Sequence, residues 1–131
     1  YISIVKAAKD KILKNVGVAY IDLNGLKAIN DNYGHSNGDK FICTAADTFK
    51  MVFPDNSYRI GGDEFVIIEQ NIERDKYEER ITALKNIMQD KQVSISIGVL
   101  WREYVDDLEE LLKAADKLMY KEKEMYHNNR E

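Results

Sequence analysis

Apolar residues recur along this chain with two different periods, and the switches between them mark its elements. Ile4, Val5, Ala8, Ile12 and Leu13 fall near helical spacing, which predicts a helix over residues 1–14. Val16-Gly-Val-Ala-Tyr-Ile21 is almost wholly apolar at strand length, the pattern of a strand buried on both faces. Asp22-Leu-Asn-Gly25 then reads as a turn, 26–32 as a short helix and Tyr33-Gly-His-Ser-Asn-Gly38 as a second turn. Phe41, Ile42, Ala45, Phe49, Val52 and Phe53 share one face of a longer helix, which Pro54-Asp-Asn stops. Two short β-like runs, 57–60 and 64–68, flank Gly61-Gly62-Asp63. Adjacent glycines between such runs predict a tight hairpin whose turn uses positive φ. Tyr77, Ile81, Leu84 and Met88 mark another amphipathic helix. Val93, Ile95, Ile97 and Val99 alternate with Ser94, Ser96 and Gly98, as in a strand with one buried face. Leu108, Leu111, Leu112, Ala115, Leu118 and Met119 define a last helix that continues to about residue 126. The order α-β-α-α-β-β-α-β-α predicts an α/β (α+β) fold, with a mixed central sheet, one β-hairpin and flanking helices.

No repeat, low-complexity run or linker interrupts this order, so residues 1–131 read as a single domain. Hydrophobic residues at 44% and charged residues at 32% fit a globular protein and exclude a disordered, collagenous or disulfide-scaffold chain. No apolar run approaches the roughly 20 residues that span a bilayer. A lone cysteine, Cys43, cannot form an internal disulfide and fits a reducing compartment. A cytoplasmic domain is expected, with any membrane anchor of a parent protein outside this stretch. The chain opens inside a helix, so it is expected to be a piece of something longer. Lysine plus arginine number 19 against 23 acidic residues, a net charge of −4. That balance argues against a nucleic-acid polymer as partner. An acidic protein that handles phosphate groups needs a metal ion between the two.

Carboxylates stand where a fold rarely needs them. Asp22 directly follows the fully apolar strand, and the carboxyl ends of such strands are where ligands bind in open sheets. Asp63 and Glu64 sit at the Gly-Gly hairpin. Taken singly, each has an ordinary reading as a turn, cap or solvated strand residue. If the hairpin lies beside the first strand, three carboxylates converge, and their mutual repulsion favours a counter-cation. All-oxygen ligands suit Mg²⁺ or Mn²⁺, which commonly join carboxylates to substrate phosphates.

Arg59-Ile-Gly-Gly-Asp-Glu-Phe65 resembles the signature of the GGDEF family, the diguanylate cyclases. The run from Asp22 to Asp39 resembles the family's D-x-D-x-F-K-x-I-N-D-x-x-G-H-x-x-G-D. Ser94-Ile-Ser-Ile-Gly98 is similar to its S-I-G strand, and 114–123 to its A-D-x-A-L-Y-x-A-K helix. The resemblance implies a fold like the nucleotidyl cyclase and polymerase palm. It implies condensation of two GTP into cyclic di-GMP with release of two pyrophosphates, by a homodimer, under an upstream sensor or regulatory domain. By the same resemblance Asp22, the Leu23 carbonyl, Asp63 and Glu64 would hold the metal, with Asp63 and Glu64 as catalytic residues and Asp63 as base. Asn30 and Asp39 would read the guanine edge, His35 would line that pocket, and Lys123 would contact the distal phosphates. Backbone N–H groups of Asn24, Gly25 and Leu26 would cradle phosphate, and Gly61 and Gly62 would let the ribose approach the backbone.

The chain departs from the family pattern at several places. The second Asp of the first block is Asn24, and its Phe is Leu26. The family's opening D-x-L-T-G-L-x-N-R run is missing. The R-x-x-D inhibitory site reads Val52-Phe-Pro-Asp55, so no product inhibition through it is expected. The Gly-Arg-Asn after the last lysine reads Tyr126-His127-Asn128. The missing opening run and the absent arginine near residue 127 keep open an alternative: a catalytically weak or inactive GTP-binding regulatory module. A relaxed cyclase that also uses ATP is a third reading, against which Asp39 argues.

Overall fold

The computed structural model describes residues 1–130, with the side chains of 1–128. The elements run α1 (Ile2–Ala8), β1 (Leu13–Leu23), α2 (Leu26–Tyr33), α3 (His35–Val52), β2 (Ser57–Arg59), β3 (Glu64–Glu69), α4 (Arg74–Asp90), β4 (Ile95–Val105) and α5 (Leu108–Arg130). The strands form one sheet in the order β2-β3-β1-β4.

The α/β class holds, with one correction: the sheet is not mixed. All three pairings are antiparallel. The helical crossovers do join strands of like direction, β1 to β2 and β3 to β4. In each case another strand lies between the two, the split βαβ arrangement.

Side chains alternate across a strand, so β1 feeds two cores. Its odd-numbered Ala19, Ile21 and Leu23 pack with Phe49 of α3, with Phe53 just after that helix and with Tyr77 and Leu84 of α4. Its even-numbered Val16 and Val18 pack with Leu111, Leu112 and Ala115 of α5 and Ala8 of α1. The layers are helix, sheet, helix, and β1 is buried on both faces as its apolar run predicts.

Other boundaries moved. The first helix ends at Ala8 rather than near residue 14. Asp10 adopts φ 63°, and from Leu13 onward the chain pairs with β4, whose Val105 lies opposite Leu13. Residues 35–38 are helical, because Gly34 at φ 88° alone makes the turn between α2 and α3. The hairpin glycines do not use positive φ; among the described residues the glycines that do are Gly25 and Gly34. The β4 alternation is misleading too. Ser96 is fully buried, and a Cβ on Gly98 would collide with the Ala115 carbonyl of α5. Small residues there admit a helix backbone; they do not mark a solvent face.

Candidate active site

Asp22 is the last even-numbered residue of β1, so it points toward α5, as Val16 and Val18 do. Its register partners are Glu64 on β3 and Ser96 on β4. Directly opposed residues share a face, which brings Glu64 to Asp22. The Leu23 N–H donates to the Asp63 carbonyl at 2.9 Å, tying the end of β1 to the hairpin. One oxygen from each of Asp22, Asp63 and Glu64 therefore lies within 4.8 Å of the others.

Asp22 is only 2% exposed. Its Oδ2 accepts a 2.6 Å bond from Lys123 Nζ, while its Oδ1 is buried with no partner. A buried carboxylate oxygen left unbonded is costly. Burial first, and then the Asp22 charge beside it, push the Asp63 carboxyl above the usual carboxylate range. The Lys123 ammonium is held above its ordinary value chiefly by its bond to Asp22. Glu64 Oε2 accepts from the Tyr20 hydroxyl at 3.3 Å. Burial, and next the Glu64 charge, raise that phenol above its ordinary value. Three carboxylates facing one lysine leave an excess of negative charge around an orphaned oxygen. That donor set fits a hard divalent cation.

A cleft of about 360 Å³ opens beside the carboxylates, between the α2 N-terminus and the outer half of α5. Gly25, at φ 80°, caps α2, and the first N–H groups of a helix have no intrahelical partner. Gly25 and Leu26 line this cleft along with Lys27, Asp63, Lys123 and Tyr126. Asn24 lines it as well, but its N–H already donates to the Ser94 carbonyl at 2.9 Å. An anion there would meet Gly25 and Leu26 without the third donor expected from the sequence. The Asn24 amide is also engaged: Nδ2 donates to Ser94 Oγ and Oδ1 accepts from Ser96 Oγ. The turn is thus bolted to the start of β4.

Arg59 donates to the carbonyls of Gly61 and Gly62, at 3.1 and 2.8 Å, and holds the hairpin loop. A Cβ on Gly62 would meet nothing within 4 Å. Folding does not demand glycine at that position, and the space above it is open to a ligand.

Asn30, His35 and Asp39 do not join this cleft. They lie where α2 meets α3, with His35 and Asp39 exposed. Asn30 Oδ1 is buried without a partner against Gly38, where a Cβ would overlap it. Tyr20, Arg59, Ser94 and Ser96 were not expected to serve the site. The even spacing of Tyr20 to Asp22 signals a shared face. For Ser96, β4 polarity read as solvent exposure hid its role, and exposed Ser94 shows its role only through its bonds to Asn24.

An antiparallel split-βαβ sheet with carboxylates gathered at the end of its central strand defines a ferredoxin-like domain with an acidic site. Residues 3–129 match the family model described as "Diguanylate cyclase, GGDEF domain", and the chain belongs to the GGDEF family. It is 38% identical over 124 residues to the signaling protein YkoW of Bacillus subtilis, covering 84% of this chain and 15% of that protein. It is 34% identical over 116 residues to the diguanylate cyclase DgcS of Shewanella oneidensis, covering 83% and 39%. Among solved structures it resembles a sensory box/GGDEF family protein from Caulobacter crescentus. The TM-score is 0.70 at 26% identity, covering 95% of this chain and 85% of that one. The chain spans well under half the length of these two curated relatives. No described helix is long and apolar enough to cross a membrane.

Proposed function

We propose that this domain is a diguanylate cyclase that condenses two GTP into cyclic di-GMP and two pyrophosphates. The observation that carries the reading is the convergence of the Asp22, Asp63 and Glu64 carboxylates, with Asp22 Oδ1 buried and unpartnered. Asp22, Asp63 and Glu64, with the Leu23 carbonyl, hold Mg²⁺ or Mn²⁺. When bound, the ion lowers the pKa of a ribose 3′-hydroxyl and offsets charge at the α-phosphate. The Gly25 and Leu26 N–H groups at the start of α2 anchor phosphate oxygens. Asp63, its carboxyl already raised, accepts the hydroxyl proton. Gly62 leaves room for the sugar above the hairpin. Asn30 and Asp39 bind guanine where α2 meets α3, and His35 lines that pocket. Asp39 is exposed, so its carboxylate disfavours adenine only where the bound base shields it from water. One domain presents one such cleft, so the reaction needs two copies face to face. An upstream sensor or regulatory domain in the parent protein fits the small share of YkoW and DgcS that this chain spans.

Incubation with GTP and Mg²⁺ followed by mass analysis tests the reading. Cyclic di-GMP is expected, and Asp63→Ala should lower its formation by at least about a hundredfold. Unchanged turnover in Asp63→Ala would remove Asp63 as base and ligand. GTP binding without any product would favour a regulatory module, the reading to which the neutral Asn24 lends weight.

A further inference from the structure

We propose that Lys123 competes with the divalent ion for Asp22, and that its transfer from Asp22 to a nucleotide phosphate couples metal entry to triphosphate binding. The inference rests on the metal and nucleotide reading above and adds an order of events to it. Ala115, Met119 and Lys123 are spaced four apart and share one face of α5. Ala115 and Met119 press that face onto the sheet at Gly98, where even a Cβ would strike the Ala115 carbonyl and the Met119 N. One turn beyond this contact, the Lys123 side chain reaches back to Asp22. The pairing is asymmetric. Lys123 is about one-third exposed, whereas Asp22 is 2% exposed. The lysine can leave, and the carboxylate cannot.

Lys123 stands 2.6 Å from one oxygen of Asp22, and an oxygen of the same carboxylate lies within 4.8 Å of oxygens of Asp63 and Glu64. A divalent ion held by either oxygen of Asp22 would lie within one carboxylate's width of an ammonium. Like charges so close, half shielded from water, repel strongly. A free ion must therefore enter against Lys123. An ion that arrives with a triphosphate supplies anionic oxygens, and Lys123 lines the same cleft as Gly25 and Leu26. The lysine exchanges one anion for another, and the repulsion is relieved. Affinities coupled in this way must be reciprocal.

Mn²⁺ binding, followed by electron paramagnetic resonance without nucleotide, tests this directly. Lys123→Met should bind Mn²⁺ alone about tenfold more tightly than the unaltered domain, within the usual range of such couplings. It should bind a non-reactive GTP analogue more weakly. Opposite movements are the signature, since a general loss of structure would weaken both. Lys123→Arg, which keeps the charge, should leave Mn²⁺ affinity near the original value. Lys121→Met changes net charge equally from an exposed position one half-turn away and should shift it by less than about twofold. Mn²⁺ affinity unchanged or lowered in Lys123→Met would overturn the competition while leaving the metal site standing. Absence of Mn²⁺ uptake in every protein, even with the analogue present, would overturn the metal reading itself and the coupling with it.

Discussion

At Asp63 the proposed role and the stability of the fold oppose each other in a single side chain. Its carboxyl is half-buried beside Asp22 and binds a proton more tightly in the folded chain than in the unfolded one. The folded state then holds more protons between the ordinary aspartate pKa and the raised one. Stability must fall as pH rises through that interval. Asp63→Asn removes the repulsion and keeps the shape. Without divalent ions its melting temperature should exceed that of the unaltered domain by about 2–4 °C at neutral pH. The gap should close as pH falls to the ordinary aspartate range. Thermal melts across pH in a chelator measure it, and an Asp63→Asn protein no more stable at pH 7 than at pH 4 relative to the original would refute it. Asn24 works on the same scale in the opposite sense. It carries no charge, and its amide and N–H bond to Ser94 and Ser96 instead of adding to the acidic cluster.

The element that most constrains the site is β4, through what it lacks. Gly98 lies opposite Tyr20 and directly beneath α5. Gly98→Ala must push α5 off the sheet. Overpacking of this kind costs about 1–3 kcal/mol, measurable by urea unfolding. Because Lys123 hangs from the same helix, the change should also lengthen its reach to Asp22. A substitution that left stability within about 0.5 kcal/mol would mean that α5 yields freely there. This is also where the sequence was hardest to read. β1 was legible because burial on both faces leaves an unbroken apolar run, and the amphipathic helices α3, α4 and α5 were legible from their stripes. In β4 Ser96 and Gly98 mimic a solvent face while Ser96 is fully buried and Gly98 packs under a helix backbone, a distinction that periodicity alone does not carry. The strand directions were half legible. Helical crossovers reveal which strands run alike, but not that a third strand slips between them. At the site, Asp22, Asp63 and Glu64 stood out because carboxylates beside apolar strands need a reason. Tyr20 and Arg59 have ordinary folding roles in any sequence, and only register and hydrogen bonds reveal what they hold.

For the whole molecule, the interleaved strand order sets Asp22 at the end of β1, which has neighbours on both sides, with Glu64 on the adjacent β3 and Asp63 in the loop before it. The proposed condensation of two GTP needs a second copy to meet this cleft. Product formation should therefore rise with about the square of protein concentration while most of the protein is monomeric. Initial rates over a dilution series measure this, and a strictly linear dependence at every dilution would exclude obligate pairing. The fifth helix adds a mechanical consequence. It is 23 residues long, roughly 35 Å. Its inner half, Leu111 to Met119, is anchored in the core, and its outer half carries Lys123 and Tyr126 past that anchorage. A tilt at the anchored end is carried along the rod to the outer half, whose ties to the sheet include Lys123 on Asp22 and Glu122, which accepts from the Ile97 N–H at 3.3 Å. A push delivered to the root of this rod would retune the distance between ammonium and aspartate without touching a single carboxylate.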